Sequence, residues 1–139
     1  MMRKLTLVTL ALFAVTSCRF AEVESNQFYR SPQPQGDMLA QLFSKVPFKT
    51  IINLRGPNPG KPWYDNEKAF AIDQGIQLID IPMSAGRLPH RKDLLALLDS
   101  FRSAPRPILI HCLAGVDRTG AASALYQMLY MGKSKKEAL

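Results

Sequence analysis

Cys112 and Arg118 stand six positions apart, separated by Leu113-Ala114-Gly115-Val116-Asp117 and followed by Thr119-Gly120. A thiol of this kind attacks an electrophile once it has lost its proton, and a guanidinium fork holds two oxygens of one phosphate. Ile108-Leu109-Ile110, just before, reads as a short buried strand, and the Ala- and Leu-rich stretch Gly120 to Tyr130, just after, reads as a helix. Cys112 therefore falls at the end of a strand, and Arg118 leads into a helix. The turn between them can point its backbone N–H groups at a dianion, which makes Leu113, Ala114, Gly115 and Val116 candidate phosphate-binding positions. Gly115 lets the backbone bend and approach the ligand. The same positive field lowers the thiol from its free value of about 8.5. Thr119 can donate its hydroxyl to the sulfur. His111 either orients the loop by hydrogen bonding or simply packs at the strand end.

Three more strands, with the helices between them, must position this loop. Gln27-Phe28-Tyr29-Arg30 suggests a first strand, broken by Ser31-Pro32-Gln33-Pro34, and Gly36 to Lys45 repeats apolar residues at helical spacing. Lys49 to Leu54 is a β-branched apolar run that reads as a buried strand ending in the loop Arg55 to Gly60. Tyr64 to Gln74 fits a helix stopped by Gly75, and Ile76 to Ile81 fits another strand. A loop, Met83 to Leu88, then leads to a helix carrying Leu94, Leu95, Leu97, Leu98 and Phe101 on its apolar face. Strands alternating with helices predict an α/β fold, a mainly parallel central sheet covered by helices on both faces. Ser134 to Leu139 reads as the first turn of a further helix, so the last helix of such a fold is expected to be missing.

The run His111-Cys112-Leu113-Ala114-Gly115-Val116-Asp117-Arg118-Thr119-Gly120 resembles the signature of the protein tyrosine and dual-specificity phosphatase superfamily, His-Cys-x-x-Gly-x-x-Arg-Ser/Thr-Gly. Tyr29-Arg30-Ser31, Ile52-Asn53-Leu54-Arg55 and Ile81-Pro82-Met83-Ser84-Ala85 are similar to segments of small bacterial and fungal members, so the resemblance covers Gln27 to the end. It implies a cysteine phosphatase fold and hydrolysis of phosphate monoesters through a phosphocysteine. Cys112 would be the nucleophile and Arg118 the phosphate clamp, with no cofactor and no metal. The implied partner is a phosphorylated protein or a small phosphomonoester.

The resemblance also implies a general acid for the leaving alcohol, usually an aspartate in the loop after the strand before the Leu94 helix. Here that loop, Ser84-Ala85-Gly86-Arg87-Leu88-Pro89, holds no carboxylate. Asp117 inside the signature is the preferred candidate, and Asp80 at a strand end is the other. Arg55 ends a strand beside that of Ile108, where ligands of parallel sheets bind; it either reaches the substrate or is an ordinary surface arginine. Arg87, His90, Arg91 and Lys92 make the facing loop basic. Leu113, Ala114 and Val116 are read as an apolar loop interior, occupying positions where phosphoinositide-cleaving relatives carry lysines. That favours simpler monoesters over a phosphoinositide or inositol phosphate. A sulfur-transfer enzyme and a non-catalytic phosphate-binding module are the other readings.

The opening residues differ from the rest. Met1-Met2-Arg3-Lys4 is basic, Leu5 to Val15 is apolar and Val15-Thr16-Ser17-Cys18 resembles the lipobox of bacterial lipoproteins. Residues 1–17 read as a signal peptide, Cys18 as the lipidation site, 18–26 as a tether and 27–139 as the phosphatase domain. The implied location is exported, periplasmic or lipid-anchored at the outer membrane. A plain cleaved signal or an anchor helix with an incidental Cys18, or a disulfide from Cys18 to Cys112, are the alternatives. At 139 residues and 47% apolar content the chain holds one core. The 18 Lys and Arg against 11 Asp and Glu give +7, suited to an anionic substrate or an acidic membrane surface. The basic residues form no stripe with interleaved aromatics, so nucleic acid is not an expected partner.

Overall fold

A computed structural model describes Phe20–Leu139. The readings placed on residues 1–17 as a signal peptide and on Cys18 as a lipidation site lie outside these residues. Five strands form one sheet: β1 (Ala21–Glu24), β2 (Phe28–Ser31), β3 (Thr50–Asn53), β4 (Gln77–Asp80) and β5 (Ile108–His111). Their order is β1-β2-β5-β3-β4, with β5 at the centre between β2 and β3. All pairs are parallel except β1 with β2. The helices are α1 (Met38–Lys45), α2 (Pro62–Gln74), α3 (Arg91–Ser103), α4 (Asp117–Tyr130) and α5 (Lys135–Ala138).

Strand residues alternate between two cores, as the period of two requires. Phe28, Ile52, Ile108 and Ile110 face Leu97 and Phe101 of α3 and Ala122 and Tyr126 of α4. Tyr29, Ile51 and Leu109 face Leu39 and Leu42 of α1 and Ala71 of α2. Every residue of β3 and β5 is buried, which is why their middles, Ile51-Ile52 and Ile108-Leu109-Ile110, are unbroken apolar runs. Each fully buried Ile, Leu or Phe among them stabilises the fold by roughly 1.5–3 kcal/mol. The α/β architecture expected from the alternation of elements is the one observed.

Two boundaries differ from expectation by more than two residues. The stretch read as a tether joins the sheet: from Ala21 it forms β1, paired antiparallel on the edge beside β2. An edge strand needs only backbone pairing and leaves Ala21 and Glu22 exposed, so its sequence lacks an apolar signal. Its acidic side chains still work, since Glu22 accepts from the Tyr29 hydroxyl at 3.1 Å and Glu24 accepts from Tyr126. The helix expected from Gly120 begins at Asp117. Its first turn is made of signature residues rather than an apolar repeat, so periodicity detects it late. Elsewhere α2 ends at Gly75 in the left-handed region, φ 66°, as the glycine stop predicts. Ser134 and Glu137 form a capping box that starts α5.

Candidate active site

β5 ends at His111, and the chain then turns through Cys112 to Val116 before α4 begins. Parallel neighbours on both sides bring Ser31 and Asn53 level with His111. The loop thus sits at the carboxyl end of the central strand, where a parallel sheet binds ligands. Val116, the N-cap of α4, makes no side-chain cap, so the first amides of the helix have no internal acceptor.

The loop is fixed by three separate contacts. The Arg30 guanidinium donates to Gly115 O at 2.6 Å, and the Gln33 amide donates to Leu113 O at 3.0 Å. Gly115 has φ 73°, and a Cβ there would come within 2.7 Å of Pro32 N and 2.9 Å of the Ser31 carbonyl. Only glycine fits that seat. The Gly115 amide then points at the nucleophile, donating to Cys112 Sγ at 3.2 Å.

Cys112 is a free thiol with 2% of its surface exposed. Burial pushes its pKa up, but donation from the Thr119 hydroxyl and amide and from the Gly115 amide, with the charge of Arg118, outweighs burial and leaves it below the usual value. Thr119 Oγ1 is itself buried and makes no well-formed hydrogen bond to any group, so it is free to turn toward the sulfur. Arg118 reaches across to Met83 O at 3.3 Å, while its Nε is buried and unpartnered beside the loop. A phosphate oxygen would satisfy that donor.

Leu113, Ala114 and Val116 do not form an apolar interior. Leu113 and Val116 are 54% and 51% exposed, and Ala114 is exposed as well. In a loop wrapped around an anion the amides turn inward, so the side chains of these residues turn out to solvent. Asp117 is exposed at the first position of α4 and lines a cleft of about 440 Å³ with Arg118, Ala121 and the Ser84–Pro89 loop. Asp80 is occupied elsewhere: Oδ1 accepts from Asn53 at 2.8 Å and Oδ2 from the Tyr64 hydroxyl at 2.6 Å. Burial and that carboxylate push the Tyr64 pKa up to about 12.

Arg55 is held over the Trp63 ring at 3.7 Å and donates to Gln33 Oε1 at 3.0 Å. Burial and the charge of Arg118 pull its pKa down, against Glu67 and Cys112, which places its guanidinium in the electrostatic range of the loop. Among the described residues no group of three or more His, Cys, Asp or Glu could hold a metal.

Residues 7–139 match the family model described as DSP-PTPase phosphatase fused to NAD+ kinase. The chain belongs to that family. Dual specificity protein phosphatase TpbA of Pseudomonas aeruginosa (strain UCBPP-PA14) is 27% identical over 117 residues, 83% of this chain and 49% of TpbA. Dual specificity protein phosphatase Mpk3 of Drosophila melanogaster is 27% identical over 103 residues, 71% of this chain and 23% of Mpk3. The chain spans about half the length of TpbA and less of Mpk3. The catalytic core of the PP-IP phosphatase SIW14 from S. cerevisiae superposes with a TM-score of 0.69 and 26% identity, covering 86% of this chain and 70% of the other. A cysteine-to-serine variant of P. aeruginosa TpbA in complex with phosphotyrosine gives 0.66 and 22% identity, covering 89% and 76%. These are cysteine phosphatase folds.

In this chain the structure brings Cys112, Gly115, Arg118 and Thr119 together, sets Asp117 at the cleft and keeps Arg55 near the loop. It also recruits residues that sequence reasoning missed. Gln33 and Glu67 are buried polar side chains behind the loop, and Glu67 lies 2.8 Å from His111 Nε2. One signal was present: Tyr64, Glu67 and Ala71 are the buried residues of α2, so a carboxylate stands on the inward stripe of a helix.

Proposed function

We propose that this phosphatase hydrolyses phosphate monoesters through a phosphocysteine on Cys112. The observation that carries this reading is a buried thiol of lowered pKa in contact with the Gly115 amide and under the charge of Arg118. The thiolate attacks phosphorus, forming the S–P bond as the P–O bond to the leaving alcohol breaks. The loop amides and Arg118 hold the equatorial oxygens, whose charge is greatest in the transition state. Asp117 delivers a proton to the leaving oxygen; Asp80 has both oxygens engaged in β3 and α2. A water then gives its proton to Asp117 and attacks phosphorus, and the thiolate departs with help from Thr119.

Phosphotyrosine or phosphoserine/threonine in proteins is the substrate class favoured by the dual-specificity relatives. A second reading, an inositol phosphate, is supported by the SIW14 likeness and by exposed Arg87, Arg91 and Lys92 beside the cleft. Turnover of nitrophenyl phosphate that is blocked by vanadate, survives EDTA and vanishes in Cys112→Ser is the expected result. Phosphate bound without turnover would make the chain a binding module, and thiosulfate activity alone would make it a sulfur transferase. Phosphotyrosyl peptide against pyrophosphorylated inositol separates the two substrate classes. Export with acylation of Cys18 is part of the same proposal, checked by labelled-palmitate incorporation that Cys18→Ser abolishes.

A further inference from the structure

Behind the Cys112 loop lies a chain of buried polar contacts that the reaction above does not use. Glu67 is 2% exposed, and its Oε1 lies 2.8 Å from Nε2 of His111, which is wholly buried. The same oxygen accepts from Gln33 Nε2 at 3.3 Å, and Oε2 is buried with no partner. Each of these two neighbours is attached to the loop on a different side. His111 is bonded to Cys112 and sets Nδ1 3.2 Å from Cys112 O. Gln33 donates its amide to Leu113 O and receives Arg55 on its side-chain oxygen.

A carboxylate buried on a helix face is costly, and an apolar residue of the same size would serve α2 better. A buried carboxylate with one idle oxygen calls for an explanation other than the helix's own stability. The Nε2 contact lies within reach of Oε1 but off the hydrogen-bond line, so it fixes proximity rather than making a directed bond. What Glu67 supplies is a single fixed point from which both ends of the Cys112–Leu113 segment are held.

We propose that Glu67 is a positioning residue of the phosphatase reaction, acting through His111 and Gln33 to hold Cys112 and Leu113 in place and to aim Arg55. It touches neither phosphate nor sulfur. The proposal rests on the phosphocysteine reading and extends it to a side chain outside the signature.

The test compares the full chain with Glu67→Gln, His111→Asn and the double variant on nitrophenyl phosphate, with Cys112→Ser as control and circular dichroism to verify the fold. Misplacing a nucleophile by about 1 Å costs on the order of 10²-fold, so Glu67→Gln is expected to lower kcat by about 10- to 100-fold while KM changes less than about threefold. Because the two residues act on one segment, the double variant should be no slower than the worse single variant. A folded Glu67→Gln within about twofold of the parent kcat overturns the proposal, as do multiplying losses in the double variant. Should Glu67→Gln fail to fold, His111→Asn decides: a parental kcat there overturns it, and a lowered kcat with steady KM supports it. Turnover that survives Cys112→Ser would sink the phosphocysteine reading instead, and this proposal with it. Loss in Cys112→Ser with parental Glu67→Gln sinks this proposal alone.

Discussion

The Cys112–Val116 loop is tied down on every side, by Arg30, by the Gln33 amide and by a glycine seat against Ser31 and Pro32. The Ser84–Pro89 loop across the cleft has one hydrogen bond of its own, Gly86 N–H to Ser84 Oγ at 3.2 Å, and leaves Leu88 91% exposed. The facing loop lines its cleft with Asp117 and Arg118, which follow directly on the Cys112 loop, yet under the proposed reaction only the Cys112 loop bears on bond making. A nucleophile must be within a fraction of an ångström of its target, whereas a wall that shapes access tolerates variation. Missing a carboxylate from the facing loop is therefore survivable if a proton donor stands on the rigid side, and Asp117 stands at the start of α4.

The sharpest way to break this comparison is to loosen the rigid side. Gly115→Ala puts a Cβ 2.7 Å from Pro32 N at φ 73°, and is expected to lower kcat by about 10²-fold, read by steady-state kinetics on a variant that remains folded. Asp117→Asn should cost about 10²-fold on an alkyl phosphate but only a few-fold on nitrophenyl phosphate, whose leaving group needs no proton. Equal losses on both would return the acid to another group.

Thr119→Ala tests the thiol. Thr119 donation lowers the Cys112 pKa, so its loss raises it, and the acid limb of kcat/KM moves to higher pH. A shift of one unit makes the deficit about tenfold at pH values below both thiol midpoints, shrinking as the pH rises past them. An unmoved acid limb would take Thr119 out of thiolate stabilisation. The smallest effect is expected on the facing loop, where Leu88→Ala should leave kcat within about twofold and stability within about 0.5 kcal/mol by thermal melting. A large loss there would mean the two loops are not different in kind.

What sequence could and could not reveal follows the same division. Cys112, Gly115, Arg118 and Thr119 are contiguous, so one strand-to-helix turn delivers them together and their types declare the chemistry. Glu67 reaches His111 from α2 and Gln33 reaches Glu67 from the β2–α1 connection, and only the closing of the sheet makes them neighbours. β1 was invisible for another reason: its pairing is made by backbone groups, and its exposed residues carry no alternation. The inward-facing reading of Leu113, Ala114 and Val116 failed because composition says nothing about which side of a turn faces the ligand.

The antiparallel direction of β1 sets where the polypeptide arrives. Ala21 stands opposite Arg30, and Arg30 opposite Ile110, so the chain joins the sheet at the rim from which the Cys112 loop rises. An acyl group on Cys18, three residues upstream, would be on a leash of about 10 Å. Under the acylation proposed above, the rim at the carboxyl end of the sheet, rather than its opposite edge, would be the side of the domain turned toward the membrane surface.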